Sequence, residues 1–314
     1  MTGDRRSLGW SIGFVLCWSS GFVGAVLAEP AGSTAGVLAW RYLVTAVLLL
    51  AVTMGRWHRL SRTELLRQAV IGLLAHVVFL GGVFAATAGG VSAGAVALVC
   101  GLQPMLVLLA GRIGWGDAVS ARQVIGLGLG FGAVAIAVGG DASGSAGLLV
   151  LPVASVLALS GAALLERRWR PQLDAPTALT VQVTVSAVVF AGFAMVTHRL
   201  SVALSWQLIG ALSWLVLLSG IGGYLCFVMC LRRLGSTGTS LLLYLTPAVT
   251  TMWVWLMLGQ PPTLWQWLGL GIGALAVALA WPRPTAAAQQ PEPPDGDQPA
   301  RSNRGVDPGL PPVR

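Results

Sequence analysis

The stretch "GQPPTLWQWLGLGIGALAVALAW" (Gly259–Trp281) packs three tryptophans, alternating glycines and a run of Ala, Leu and Val into 23 residues. Taken alone, it suits either the core of a soluble domain or the hydrocarbon of a bilayer. Composition decides between them. Of 314 residues, 55% are hydrophobic and 10% charged, with a mean hydropathy of +0.78, whereas an ordinary soluble domain is about 25% charged. A helix needs roughly 20 apolar residues to cross a hydrocarbon core of ~30 Å, and windows of that kind recur along almost the whole chain. The sequence predicts an all-α polytopic membrane protein.

Between turn and charge signals lie ten hydrophobic runs, at about residues 8–28, 34–54, 66–87, 91–111, 121–139, 146–165, 177–197, 207–231, 237–258 and 263–281. Glu29-Pro30, "RRWRPQLDAP" and Gln260-Pro261-Pro262 punctuate short connections. Arg5-Arg6 ahead of an apolar run, with Val26 and Ala28 beyond it, also suits a cleaved signal peptide. An uncleaved first helix keeps the segment count even and agrees with the charge pattern.

Every basic residue is Arg. With a cytoplasmic N-terminus, the inner flanks hold Arg5, Arg6, Arg56, Arg59, Arg62, Arg67, Arg112, Arg122, Arg167, Arg168, Arg170, Arg232, Arg233 and Arg283, and the outer loops hold Arg199 alone. Positive charge near segment ends sets orientation, so the sequence predicts a multi-pass protein of the plasma (inner) membrane with both termini cytoplasmic. The net charge of +8 then reports topology, not a nucleic-acid partner. Cys17, Cys100, Cys226 and Cys230 all fall in apolar runs. Without nearby His or acid they read as packing residues, with no metal site or disulfide framework.

From Pro282 the character changes, with nine Pro in 33 residues and four Arg balancing four acids. Too apolar-poor to offset ordering entropy, residues 283–314 read as a disordered Pro-rich cytoplasmic tail.

The opening stretch has an echo. Pro104, Gly116, Gln123, Gly126, Gly128, Gly130, Ala133, Ala135 and Ala137 reappear 143 residues later as Pro247, Gly259, Gln266, Gly269, Gly271, Gly273, Ala276, Ala278 and Ala280. A fixed offset is the mark of internal duplication. Five segments separate the copies, and an odd number of crossings reverses direction. The expected organisation is two inverted five-helix repeats, residues 1–140 and 141–282, a recurrent design of secondary transporters. The glycines, together with Gly132, read as close-packing positions. Pro104 and Pro247 read as helix kinks.

With "WSSGFVGA" (Trp18–Ala25) in the first segment, "RYLVTAVLLL" (Arg41–Leu50) in the second and the two Pro…Gly…Gly-rich blocks, the chain resembles the EamA type of the drug/metabolite transporter superfamily over roughly residues 8–281. The resemblance implies ten transmembrane helices in two repeats and solute translocation, commonly export of amino acids, metabolites or toxic compounds. One position departs. The residue after the glycine closing segments four and nine is usually Glu in such proteins and is Asp117 and Gln260 here.

Ionisable groups at lipid depth are expensive and usually functional. Arg41, flanked by Trp40 and Tyr42, suits an anionic solute group or a structural clamp on carbonyls. His76, midway along segment three, can exchange a proton near neutral pH. Glu29 and Glu166 sit at segment ends and rank below them. Polar and aromatic residues on segments that line the cavity in the resembled family add Trp18, Ser19, Ser20, Gln103, Tyr224, Tyr244 and Thr246 as substrate-binding or coupling candidates.

No P-loop is present, and without Lys none can be. The expected partners are a small-molecule solute and the bilayer, with no cofactor; a homodimer is compatible with the sequence. A secondary transporter, an exporter working by alternating access, is the favoured reading. A membrane enzyme or flippase acting on a lipid or lipid-linked substrate is the alternative. With only His58, His76 and His198 and few acids near the membrane faces, no acid/base constellation assembles for the enzyme.

Overall fold

A computed structural model describes residues 2–54, 60–139, 146–170, 173–202 and 205–280. The tail expected at 283–314 lies outside the described residues. Among those described there is no strand, and seven helices are long and apolar enough to cross a membrane by length and composition.

The first repeat opens with α1 (Thr2–Leu27) and α2 (Thr34–Thr53). The third segment is one helix in three parts, α3 (Arg62–Gly72), a π turn (Leu73–Val78) and α4 (Phe79–Ala88). The fourth is broken into α5 (Ala93–Cys100) and α6 (Gln103–Trp115), and α7 (Ala121–Gly139) closes the repeat. The second repeat runs through α8 (Val150–Trp169), α9 (Ala175–Val196), α10 (Trp206–Ser213), a second π turn (Trp214–Gly222), α11 (Gly223–Leu243), α12 (Thr246–Leu258) and α13 (Leu264–Ala280). The two π turns occupy matching places: shifted by the repeat offset, Leu73–Val78 falls inside Trp214–Gly222.

Short polar side chains start these helices. Ser33, Ser61, Ser92, Asp174 and Ser205 each accept a hydrogen bond from the backbone N–H three residues on, satisfying donors that lipid would leave bare. The paired glutamines of the repeat have the same task. Gln123 accepts from Ser120 N at 2.8 Å while its own N–H donates to Ser120 Oγ at 3.3 Å. Gln266 repeats the box with Thr263 at 3.1 and 3.2 Å. Gly116 (φ 72°) and Gly259 (φ 65°) end α6 and α12 in the left-handed conformation that glycine adopts without strain.

Three expectations meet a different outcome. At Pro104 and Pro247 the segment breaks instead of kinking, after short turns at Gly101–Leu102 and Tyr244–Leu245, and each proline sits in the first turn of a new helix. There its missing N–H deprives nothing of a partner. The connection expected at 232–236 keeps helical backbone within α11, and helical turns satisfy backbone groups internally, as a membrane face favours. Of the close-packing glycines, Gly128, Gly132 and Gly271 face open space, whereas Gly130 faces Leu102 and Gly273 faces Leu98 and Ala133. Only part of the glycine stripe can touch a neighbouring helix at once.

Equivalent helices of the two repeats pack on one another, α2 on α9 and α7 on α13. The first pair is antiparallel. Thr53 at the end of α2 donates to Thr180 near the start of α9 (3.3 Å), while Ser33 and Trp40 near the start of α2 donate to the Arg199 and Leu200 carbonyls beyond the end of α9.

Candidate functional site

The structure divides the sequence-predicted residues into two groups. Trp18, Gln103 and Thr246 line one small gap with Phe22, Phe79 and Leu243. Ser19 ties this group together, its hydroxyl donating to the Thr246 carbonyl at 3.3 Å, while Thr246 Oγ1 donates to the Leu243 carbonyl. These contacts sit where α5/α6 and α11/α12 break, the places at which a proline-started helix leaves its first turn pointing inward. The gap holds about 10 Å³, the space of one water. Any larger solute needs the helices to part. Trp18 also packs with Phe14 and Phe227 at ring separations of 5.5 and 6.3 Å, and Tyr244 packs against the Leu102, Met105 and Ala276 cluster.

The second group surrounds Tyr42. The Arg41 guanidinium carbon lies 5.7 Å from the Tyr42 ring centroid, and the His76 ring meets the same tyrosine edge-on at 5.7 Å. Phe190 of α9 stacks on its other side at 5.1 Å. His76 Nε2 lies 3.3 Å from Gln182 Oε1, within hydrogen-bond reach. Gln182 Nε2 in turn donates to Gln68 Oε1 at 2.6 Å. Arg41, Tyr42, His76, Gln182 and Gln68 thus form a polar line through α2, the π turn of segment three, α9 and α3. The sequence pointed to Arg41 and His76 as isolated residues. Gln68 and Gln182 lie 114 positions apart, and no local pattern announces such a pairing.

Ser20 stands apart from both groups. Its hydroxyl donates to the Cys17 carbonyl at 2.6 Å, and its own carbonyl accepts from Trp214 Nε1 at 2.9 Å. Tyr224 is half-buried near the start of α11. Glu29 lines a cavity of about 690 Å³ between the ends of α1 and α12 and the start of α10, bounded also by Val26, Gln207, Gly210, Trp214 and Leu258. Partial burial pushes the Glu29 carboxyl above its usual range.

The repeat offset locates the counterpart of this cavity on the first-half helices. Opposite Gly210 stands Arg67 and opposite Leu258 stands Trp115. There the space is occupied. Arg167 at the end of α8 pairs with Asp117 through two bonds of 2.5 and 2.9 Å and lies 4.7 Å over the Trp115 ring. Arg67 lies 6.0 Å from the Trp169 ring and 3.8 Å from Glu64. Hydrogen bonding and charge from Arg167 hold the Asp117 carboxyl below the usual carboxylate range. A carboxylate with a lowered pKa keeps its partner above its unperturbed value and loses it as pH falls through the lowered one; this clasp is therefore intact at neutral pH. Gln260, which replaces the acid in the second repeat, cannot form it.

The EamA-like transporter family matches this sequence twice, over residues 5–139 and 145–281. Among solved structures, one crystal structure of a protein superposes with a TM-score of 0.63 at 17% sequence identity, covering 88% of this chain and 96% of that one, a likeness of fold. No curated protein sequence matches the chain.

Proposed function

Since the chain belongs to the EamA-like transporter family, a family of membrane transporters, we propose that it is a secondary transporter that exports a small solute across the plasma membrane by alternating access between two inverted five-helix repeats. One observation carries this reading. Two repeat-related gaps differ in state, one an open vestibule of about 690 Å³ beside Glu29 and the other clasped by Asp117, Arg167 and Trp115. If two similar halves exchange conformations, the open and clasped gaps exchange with them. The antiparallel packing of α2 on α9 supports the inversion, and the reading takes ten segments with residues 1–140 and 141–282 as its halves.

The arginine bias places the clasp on the cytoplasmic face and the vestibule outside, with both termini cytoplasmic. Reporter fusions after Arg62 and after Asp141 are expected to report opposite sides; the same side at both would break the ten-segment map. The narrow gap at Trp18, Ser19, Gln103 and Thr246 is the barrier between the faces. Tyr224 and Tyr244 flank it, Ser20 anchors α1 beside it, and Arg41 and His76 supply solute binding and coupling.

The clasp makes a direct test. Asp117→Asn removes the charge and one acceptor oxygen from a bidentate pair, which weakens the clasp. The cytoplasmic gap is then expected to open in a larger share of the molecules. Spin labels at Gly114→Cys and Arg170→Cys, on the facing ends of α6 and α8, should show a longer distance population in Asp117→Asn. An unchanged distribution in both Asp117→Asn and Arg167→Gln would remove the clasp from the mechanism.

A further inference from the structure

Arg41 is 7% exposed and lies seven residues into α2, about 10 Å below the helix start. Its Nη1 is buried with no hydrogen-bond partner. No carboxylate bridges it among the described residues, where the ion pairs join Arg67 to Glu64 and Arg167 to Asp117. Among the described side chains the carboxylates are Glu29, Glu64, Asp117, Glu166 and Asp174, every one at a helix end. The guanidinium faces the Tyr42 ring at 5.7 Å, and a ring quadrupole offsets only part of the cost of a buried charge that lacks a counter-ion. Among the described residues Nη1 is thus left open to an acceptor that a solute could bring.

We propose that Arg41 docks the carboxylate of a monoanionic organic acid, the solute class this protein carries. This rests on the transport reading above. A guanidinium fork matches a planar carboxylate, and one fixed positive charge neutralises one negative charge. The surroundings discriminate further. An amino acid would bring an ammonium to the same depth, and no described carboxylate stands there to receive it. Tyr42, whose ring the Arg41 guanidinium faces, belongs with Phe190, Phe79 and Phe84 to one apolar cluster, a chemistry suited to a hydrocarbon body. His76, edge-on to the Tyr42 ring, adds a polar neighbour.

A matched series tests the charge requirement: 4-methylpentanoate, its amide, and leucine, which adds an ammonium to the same skeleton. Thermal unfolding of the purified full chain is expected to shift upward saturably with 4-methylpentanoate, not with the amide, and with leucine only at concentrations at least about tenfold higher. Arg41→Gln should lose the response. Arg41→Leu, titrated with no organic anion present, should unfold at or above the wild-type temperature, because it removes an uncompensated charge. A structural clamp on carbonyls predicts the reverse, a marked loss of stability.

Equal responses to acid and amide, a retained response in Arg41→Gln, no response to the acid at tens of millimolar, or a strongly destabilised Arg41→Leu would each overturn the assignment. Flux of the same probes into proteoliposomes separates the two levels of the argument. Arg41-dependent binding without flux would refute the transport reading and leave the anion site standing. Flux of the amide or leucine that is indifferent to Arg41→Gln would refute the site and leave transport standing.

Discussion

Gly72→Leu is expected to yield a protein that fails to fold into a monodisperse particle, and Gly128→Leu to behave as wild type. Gly72 ends α3 where that helix meets α9, and a Cβ placed there would lie 2.8 Å from Gln182 Cα and 2.9 Å from its carbonyl oxygen. Those atoms are backbone and cannot swing aside. Overpacking a tight contact costs roughly 1–3 kcal/mol for small additions, and a leucine adds four heavy atoms, so alanine should already lower the unfolding temperature measurably. The same displacement would part Gln182 from Gln68 and His76. Gly128 has nothing within 4 Å of its would-be Cβ, and a leucine there meets only lipid. Size-exclusion profiles and thermal scans of the purified variants decide the matter; a well-folded Gly72→Leu would mean that α3 and α9 do not approach as closely as described.

His76→Gln is expected to abolish accumulation driven by a pH gradient while exchange at equal pH continues. Among the candidates at depth, Arg41 holds its charge at every physiological pH and the described carboxylates lie at helix ends. His76 remains as the group that can load and release a proton. Its place in a π turn, where helical register changes and functional residues often gather, and its bond to Gln182 give it both mobility and a defined partner. Glutamine preserves a donor for that partner and cannot carry a proton. Gradient-driven uptake at the wild-type level in this variant would leave ion-independent facilitation, or coupling through Glu29 or Glu166.

The elements that could be read along the chain are those whose physics is local. Apolar runs, the glycines at 116 and 259 and the repeated Pro, Gln and Gly positions depend on a few neighbouring residues, and each has a structural counterpart. The capping boxes were visible as a repeated glutamine, although their purpose needed the preceding Ser120 and Thr263. The π turns were not legible, because one extra residue in a turn leaves an all-apolar helix looking the same. The site was legible in its expensive members alone. Burial cost singles out Arg41 and His76 in any lipid-depth segment, but Gln68 and Gln182 acquire meaning only through a contact between helices of different repeats. Arg167 read as one more topogenic arginine, since nothing adjacent to it in sequence hints at Asp117.

The duplicated caps have a consequence for how such a chain acquires its bearings. A glycine at the end of α6 or α12 and a Ser/Thr-x-x-Gln box ahead of α7 or α13 work through backbone hydrogen bonds within a few residues. A hydrogen bond of that kind has no compass; it is equally satisfied whichever leaflet lies above it. The instructions that build each half are therefore blind to up and down, and in the proposed topology the flanking arginines supply the heading. Shape and heading are written in separate alphabets, so a half could be turned over by relocating guanidinium groups while its helices stayed as they are.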